Sequence, residues 1–377
     1  MYAYRNEFTQ ASGLRYLNHA AVAPWPRRAA EAVARFAEEN VSIGARDYPN
    51  WLILENTLRD RLKRLLNAPS RDDIALVKNT SEALSFVAFG LDWKAGDQIV
   101  ISNEEFPSNR IVWEALKPLG VEVKQVDLSG DDPEGALLAA CGPRTRLMSI
   151  SAVQYASGLR LELERLGHGC QQRGVLFCVD AIQQLGALPF DAQACACAFA
   201  MADGHKWMLG PEGLGVFYCR SDLREQLKLH EYGWHMLEHA GDYDRSDWRP
   251  ARSAKRFECG SPNLLGAVAL EASLSLLEEV GMSAVGQALN ERIHWLQNGL
   301  DRITGVTLHS PRNPARRAGI LTFSLDGWDQ RALFEKLKNE QIVCAQRGPG
   351  IRFSPHFYTE GHVIEEALTV LTQLASR

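Results

Sequence analysis

The sequence predicts an α/β protein: a large domain built on a mostly parallel seven-stranded sheet, followed by a smaller α+β domain. Three observations carry this. Between residues 74 and 219, short β-rich runs alternate with helical patterns, as in sheets wound with helices on both faces. Most of those runs lack apolar/polar alternation, as strands covered on both sides do. Beyond residue 256 the rhythm changes to two long helical patterns followed by short strands.

Taken in order, helices are expected over 27–39 and 51–66, packed beside one of the two domains. The strand candidates are 74–77, 98–102, 121–126, 146–153, 175–180, 196–202 and 214–219, with helices at 81–90, 109–119, 133–140 and 161–173 between them. The C-terminal third reads as helices 263–280 and 282–303, a strand at 319–325, helix 329–339, strands at 342–345 and 351–354, and a last helix at 359–374. This divides the chain into an N-terminal segment (1–25), a large domain (26–255) and a small C-terminal domain (256–377).

Composition narrows the function. The chain has 377 residues, 46% hydrophobic and 23% charged, with a net charge of −5. That balance argues against a broad nucleic-acid or membrane footprint. The longest apolar run, 194–202, is about half the ~18 residues of a membrane span. The first residues show no basic patch before an apolar stretch, so no signal peptide is expected. The eight cysteines form no C-x-x-C pattern. Cys195 and Cys197 lie in an apolar segment and read as core residues of a strand, not as metal ligands. The expected compartment is the reducing cytoplasm.

Three segments carry chemistry. In Ala202-Asp203-Gly204-His205-Lys206-Trp207, a lysine follows a β-rich run on a glycine-rich loop. A loop lysine is ordinarily a solvated charge, but one held between two buried strands is a usable amine nucleophile. In Val175-Leu-Phe-Cys-Val-Asp180-Ala-Ile-Gln183, an apolar strand ends in a carboxylate, where open α/β sheets bind ligands. Asp180 could cap the following turn; it could equally hold a proton on the ring nitrogen of a bound cofactor. In Lys78-Asn79-Thr80-Ser81-Glu82, a strand gives way to hydroxyl residues that open a helix. Asn79 and Glu82 fit a capping arrangement, and the same geometry offers N–H groups to a phosphate.

With these segments in this order, the chain resembles the class V aminotransferase family of fold-type I pyridoxal-phosphate enzymes, which includes cysteine desulfurases, selenocysteine lyases and isopenicillin N epimerases. The resemblance runs from Tyr16-Leu-Asn18-His19 through Glu104-Glu-Phe106-Pro-Ser-Asn109 and Phe257-Glu-Cys-Gly260-Ser261-Pro-Asn to Gly350-Ile-Arg352-Phe-Ser-Pro-His-Phe-Tyr. It implies pyridoxal 5′-phosphate as cofactor, with Lys206 carrying the internal aldimine and moving protons at Cα. Asp180 would pair with the pyridinium nitrogen, and Gln183 and Gln154 would lie near O3′. Thr80, Ser81, Asp203 and His205 would hold the phosphate or its surroundings, and Phe106 would stack on the ring. Asp203 stands where the family usually has Ser, so it would act through His205 or water. Phe106 stands where many relatives have His; it can stack but carries no proton. Arg352 would clamp a substrate carboxylate, with His19 and Tyr155 on the substrate side and Trp234 and His235 in a possible substrate wall. Ser261 would reach the phosphate of a neighbouring subunit, which implies a homodimer with shared sites.

The reaction is left open among lyase, transaminase and epimerase chemistry at Cα or Cβ of an amino acid. Desulfurases of this family hold a nucleophilic Cys on a loop ahead of the carboxylate-binding Arg. Here that region is short, and its Cys344 falls in an expected strand and reads as a core residue. The alternatives are a cysteine desulfurase or selenocysteine lyase using Cys344, or a non-catalytic binding protein that keeps the fold. A nucleotide-dependent oxidoreductase is disfavoured because no strand runs into G-x-G-x-x-G.

Overall fold

The computed structural model describes residues 2–376; Met1 and Arg377, at the ends of the first and last expected domains, lie outside them. After a 3-10 turn (Tyr2–Glu7), the chain forms β1 (Arg15–Tyr16) and two helices, α1 (Arg27–Ile43) and α2 (Tyr48–Leu66). The large sheet is made of β2 (Ile74–Val77), β3 (Gln98–Ser102), β4 (Glu122–Val126), β5 (Thr145–Ser151), β6 (Leu176–Asp180), β7 (Phe199–Asp203) and β8 (Gly215–Cys219). Between them run α3 (Thr80–Gly90), α4 (Ser108–Glu114), α5 (Pro133–Ala140) and α6 (Leu163–Gln172).

The strand order is β2-β8-β7-β6-β5-β3-β4. β3 to β7 pair in parallel, and β8 alone runs against both its neighbours. β5 to β8 are buried on both faces, which matches the near-continuous apolar sequences of β6 to β8. β4, at the sheet edge, carries Glu122, Lys124 and Gln125 and is largely exposed.

The rest of the chain forms α7 (Leu264–Val280), α8 (Met282–Leu300), β9 (Val306–Leu308), β10 (Leu321–Leu325), α9 (Gln330–Asn339), β11 (Ile342–Val343), β12 (Ala345–Arg347), β13 (Gly350–Phe353) and α10 (Gly361–Ala375). A second, antiparallel sheet has the order β12-β13-β10-β9, and β1 pairs in parallel with β11. The inner face of α7 (Ala267, Leu270, Leu274, Leu277) shares a core with Phe177 and Val179 of the large sheet. Ile293, Leu296 and Leu300 of α8 instead join Phe323 and Phe353. The change of core therefore falls within α8, downstream of residue 256. Leu17 also lies in the small core, so the N-terminal segment straps that domain.

Three expected elements differ. Helix 109–119 stops at Glu114 and gives way to a 3-10 turn, Lys117–Leu119, where Pro118 has no N–H to donate. The strand expected from 196 begins only at Phe199. Asp191 accepts the N–H groups of Gln193 and Ala194, and Ala196 has a left-handed φ of 48°. Cys195 and Cys197 thus sit in a turn, not a strand, though both are buried. The strand at 342–345 divides at Cys344, because β11 pairs with β1 and β12 with β13.

Candidate active site

The C-terminal ends of β5, β6 and β7 meet at one edge of the sheet and present Ser151, Asp180 and Asp203 there. After β7 the chain folds back tightly. Gly204 N–H donates to Leu214, Gly210 N–H to Gly204 and Leu209 N–H to Lys206. This loop turns Lys206 inward, where it is 8% exposed. A cavity of about 270 Å³ opens over it. The structure brings Thr80, Ser81, Phe106, Tyr155, Asp180, Gln183, Asp203, His205, Lys206 and Arg352 to its lining.

The cavity has two charged ends. At the first, Asn79 caps α3 by accepting the Glu82 N–H at 2.9 Å. The Thr80 N–H donates to Asp203 at 2.8 Å, and Ser81 Oγ donates to Ser108 Oγ at 2.9 Å. Asp203 also lies 3.6 Å from Nδ1 of His205. At the second end, Nη1 of Arg352 donates to the Tyr155 carbonyl at 2.7 Å. Its Nε and Nη2 are buried without a partner, and burial followed by the nearby Arg347 pulls its pKa down to about 9.

Between the ends stand Asp180 and Lys206. Burial raises the Asp180 pKa, while the Ile182 N–H at 3.0 Å and the lysine oppose that rise. Burial lowers the Lys206 pKa, with Asp180 opposing. Gln183 ties their two loops together, donating to the Ala20 carbonyl at 3.0 Å and accepting from Trp207 Nε1 at 2.8 Å. The ring of Phe106 lies 5.6 Å from the lysine nitrogen and meets Tyr155 edge-on at 5.2 Å.

Three expected site residues fall outside the lining. His19 is fully buried: one ring nitrogen faces the Ser354 carbonyl at 2.8 Å and the other Tyr358 Oη at 2.7 Å. It fastens the N-terminal segment to the end of β13. Gln154 is fully buried and donates to Glu105 at 3.2 Å, and its Oε1 is unpartnered. Ser261 lines a separate cavity with Glu258 and Asn263. His235 is likewise away from the lysine, buried 3.9 Å from Glu55 and 3.7 Å from Glu258.

The sequence reading missed Glu105. This buried carboxylate accepts from Ser102 Oγ, Asn109 Nδ2, the Ser151 N–H and Ser151 Oγ. It pins β3, β5 and α4 together and so fixes the turn that carries Phe106. A signal was present: an acid beside the aromatic, with Asn109 four residues on.

The unpartnered buried atoms test whether a cofactor fits. Thr80 Oγ1, His205 Nδ1 and the two Arg352 nitrogens have no partner. A hydroxyl at a helix start suits a phosphate, a strand-end carboxylate suits a protonated ring nitrogen, and a buried amine suits an aldehyde. The residues present fit pyridoxal phosphate, and the site is of the lysine-centred, pyridoxal-phosphate-dependent class.

The comparisons agree. The chain belongs to the class V aminotransferase family, whose model (Aminotransferase class-V) matches residues 15–354. A probable cysteine desulfurase of Methanothermobacter thermautotrophicus is 31% identical, over 88% of this chain and 83% of that protein. Among solved structures, a lysine-to-alanine variant of C-DES with glycine covalently linked to its pyridoxal-phosphate cofactor superposes with a TM-score of 0.91. It is 25% identical and covers 98% of each chain. The cystine C–S lyase C-DES bound to its product, cysteine persulfide, gives a TM-score of 0.88 at 25% identity, covering 96% of this chain and 98% of that one.

Proposed function

We propose that this protein is a pyridoxal-phosphate-dependent lyase that breaks the Cβ–S bond of an α-amino acid and uses no protein thiol as sulfur acceptor. The observation that carries the reading is Arg352, a buried guanidinium with two free nitrogens opening into the same cavity as Lys206. An uncompensated buried charge is costly, and a substrate carboxylate relieves it through a bidentate pair.

When bound, pyridoxal phosphate supplies an aldehyde for amines and an electron sink for the pair left at Cα. The chain's own residues do the rest. Thr80, Ser81, His205 and the start of α3 hold the phosphate. Asp180 keeps a proton on the ring nitrogen. Arg352 fixes the α-carboxylate and thereby the Cα–H direction. Lys206, its basicity lowered by burial, takes the Cα proton and delivers it to the departing sulfur, because Phe106 has no proton to give. The overall reaction consumes an amino acid and water and yields pyruvate, ammonia and a thiol.

The outcome rests on the cysteines. None lines the cavity. Cys344 is 6% exposed in the small core, and burial pushes its thiol up to about 12. A relay needs a thiolate that meets the substrate sulfur. The second reading, desulfuration through Cys344, draws on the relatives described as cysteine desulfurases. Incubation with L-cysteine tests the two: pyruvate, ammonia and sulfide are expected, whereas alanine as the carbon product supports desulfuration. We also infer a homodimer in which Ser261 faces a neighbouring subunit's phosphate, to be checked by sedimentation. No helix among the described residues is long and apolar enough to cross a membrane.

A further inference from the structure

Outside the lysine cavity, one buried cluster has no part in the lyase chemistry. Glu55 on α2, His235 after β8 and Glu258 ahead of α7 are 2%, 1% and 8% exposed. One ligand atom from each can be chosen so that all three lie within 4.8 Å of one another. The imidazole stands between the two acids, with Nε2 3.9 Å from Glu55 and Nδ1 3.7 Å from Glu258. Both separations are too long for hydrogen bonds. Neither ring nitrogen has a partner, nor has Oε1 of Glu55. Buried polar atoms left unpaired are costly, and these face one another across a gap. Ligand atoms held ~2.0–2.2 Å from a tetrahedral ion stand about 3.4 Å apart, so small side-chain rotations bring this set to bonding distance.

The donors are two carboxylates and one imidazole, a hard-to-borderline set that suits zinc and not a soft ion. The imidazole is held in the form a metal needs. Burial, then Lys255 and Arg59, push its pKa down to about 4, against a pull from the Glu258 backbone. Near neutral pH it is uncharged, with a lone pair on one ring nitrogen. Glu258 bonds Arg59 at 2.5 Å and accepts the Leu76 N–H at 2.9 Å. Each carboxylate oxygen has two lone pairs, so these bonds orient the group and leave it acceptor capacity towards His235. Arg59 is the one guanidinium against both acids, which leaves one negative charge in direct contact. Lys255 acts on all three residues electrostatically and opposes a cation. Glu55, His235 and Glu258 line the cavity of about 150 Å³ that also holds Ser261, which gives an ion its entry and a place for water in its remaining coordination position.

We propose that Glu55, His235 and Glu258 form a binding site for a divalent transition-metal ion, with zinc(II) the best fit, that clamps α2 to the loop after β8 and to the segment leading into α7. The site is separate from the lysine cavity and independent of the lyase reading.

Cofactor-loaded protein, freed of metal with a chelator, is titrated calorimetrically with zinc chloride. One equivalent is expected to bind and to raise the melting temperature. His235→Ala should weaken binding by ~100-fold or more, beyond what loss of a merely supporting group costs, and should abolish the thermal shift. Glu55→Gln keeps the shape of the side chain and should weaken binding at least about tenfold; it carries the comparison should the alanine variant not fold. Lys255→Met removes the opposing charge and should tighten binding by roughly three- to tenfold. Cys259→Ser, at a thiol lining the same cavity, should leave the affinity unchanged. The proposal is overturned if the parent takes up no stoichiometric zinc, if Glu55→Gln or His235→Ala binds as tightly as the parent, or if Cys259→Ser abolishes binding and so places the ion on the thiol.

Discussion

At the scale of single residues, the site works by holding groups away from their ordinary protonation. Lys206 is a buried amine of lowered basicity beside a buried acid. Lys206→Ala should abolish the visible band of the protein-bound cofactor and reduce pyruvate formation by about 10³-fold or more, as loss of a positioned acid–base does; the melting temperature should fall little. Arg352→Ala should raise KM for amino acids about 10²-fold with a smaller change in kcat, in line with the roughly 2–5 kcal/mol lost on breaking a buried charged pair; an unchanged KM would place the clamp elsewhere. Asp203 gives a pH signature. Burial raises its pKa to about 6, so below that pH it is neutral, and above it the site presents a negative charge to the phosphate. Asp203→Asn keeps an acceptor for the Thr80 N–H. Cofactor affinities of variant and parent, measured by spectral titration, should coincide near pH 5. By pH 8 the parent should be about tenfold weaker, a repulsion of ~1.4 kcal/mol between partly screened charges. A ratio independent of pH would remove Asp203 from the phosphate.

At the scale of elements, the loops after β6 and β7 depend on each other. Gly186 has φ of 90°, and a Cβ there would lie 2.3 Å from the Trp207 carbonyl oxygen. Gly186→Ala combines backbone strain with a clash against the lysine loop, so it should lower stability by about 2 kcal/mol or more and disturb the cofactor band even in folded protein. Away from the site, Arg59 on α2 bonds Glu258 at 2.5 Å and lies 3.8 Å from Glu55, all three buried. Arg59→Met leaves two buried carboxylates uncompensated and should cost about 3–5 kcal/mol in denaturant unfolding. Neither coupling is visible in sequence, because both join residues far apart in the chain. What was legible is local. Uninterrupted apolar runs that end in Asp180 and Asp203 betray strands buried on both faces with polar ends at the site. The turn at Cys195–Cys197 was misread because its apolar composition matches the strand that follows it. Only the Asp191 side chain, folding back onto the next amides, breaks the run.

At the scale of the whole molecule, the order of motifs placed the lysine, the acid, the helix start and the arginine around one cavity across about 270 residues of chain. It did so because a parallel sheet collects all its strand ends on one edge. α7 is apolar on most sides and could serve either core; packing against α1, α2 and the large sheet decides it. His19 was likewise displaced by a tertiary partnership, Ser354 and Tyr358, that its local sequence does not announce. The central claim is that Lys206 and its cofactor carry out elimination at Cβ. It is tested most directly by following the visible spectrum of the cofactor-loaded protein while L-cystine is added and pyruvate is assayed. The account predicts a protein-bound band that changes on addition, returns as substrate is consumed, and is accompanied by one pyruvate per molecule of substrate lost. A protein that retains no band, or whose band converts permanently to the amine form of the cofactor without pyruvate, would contradict it.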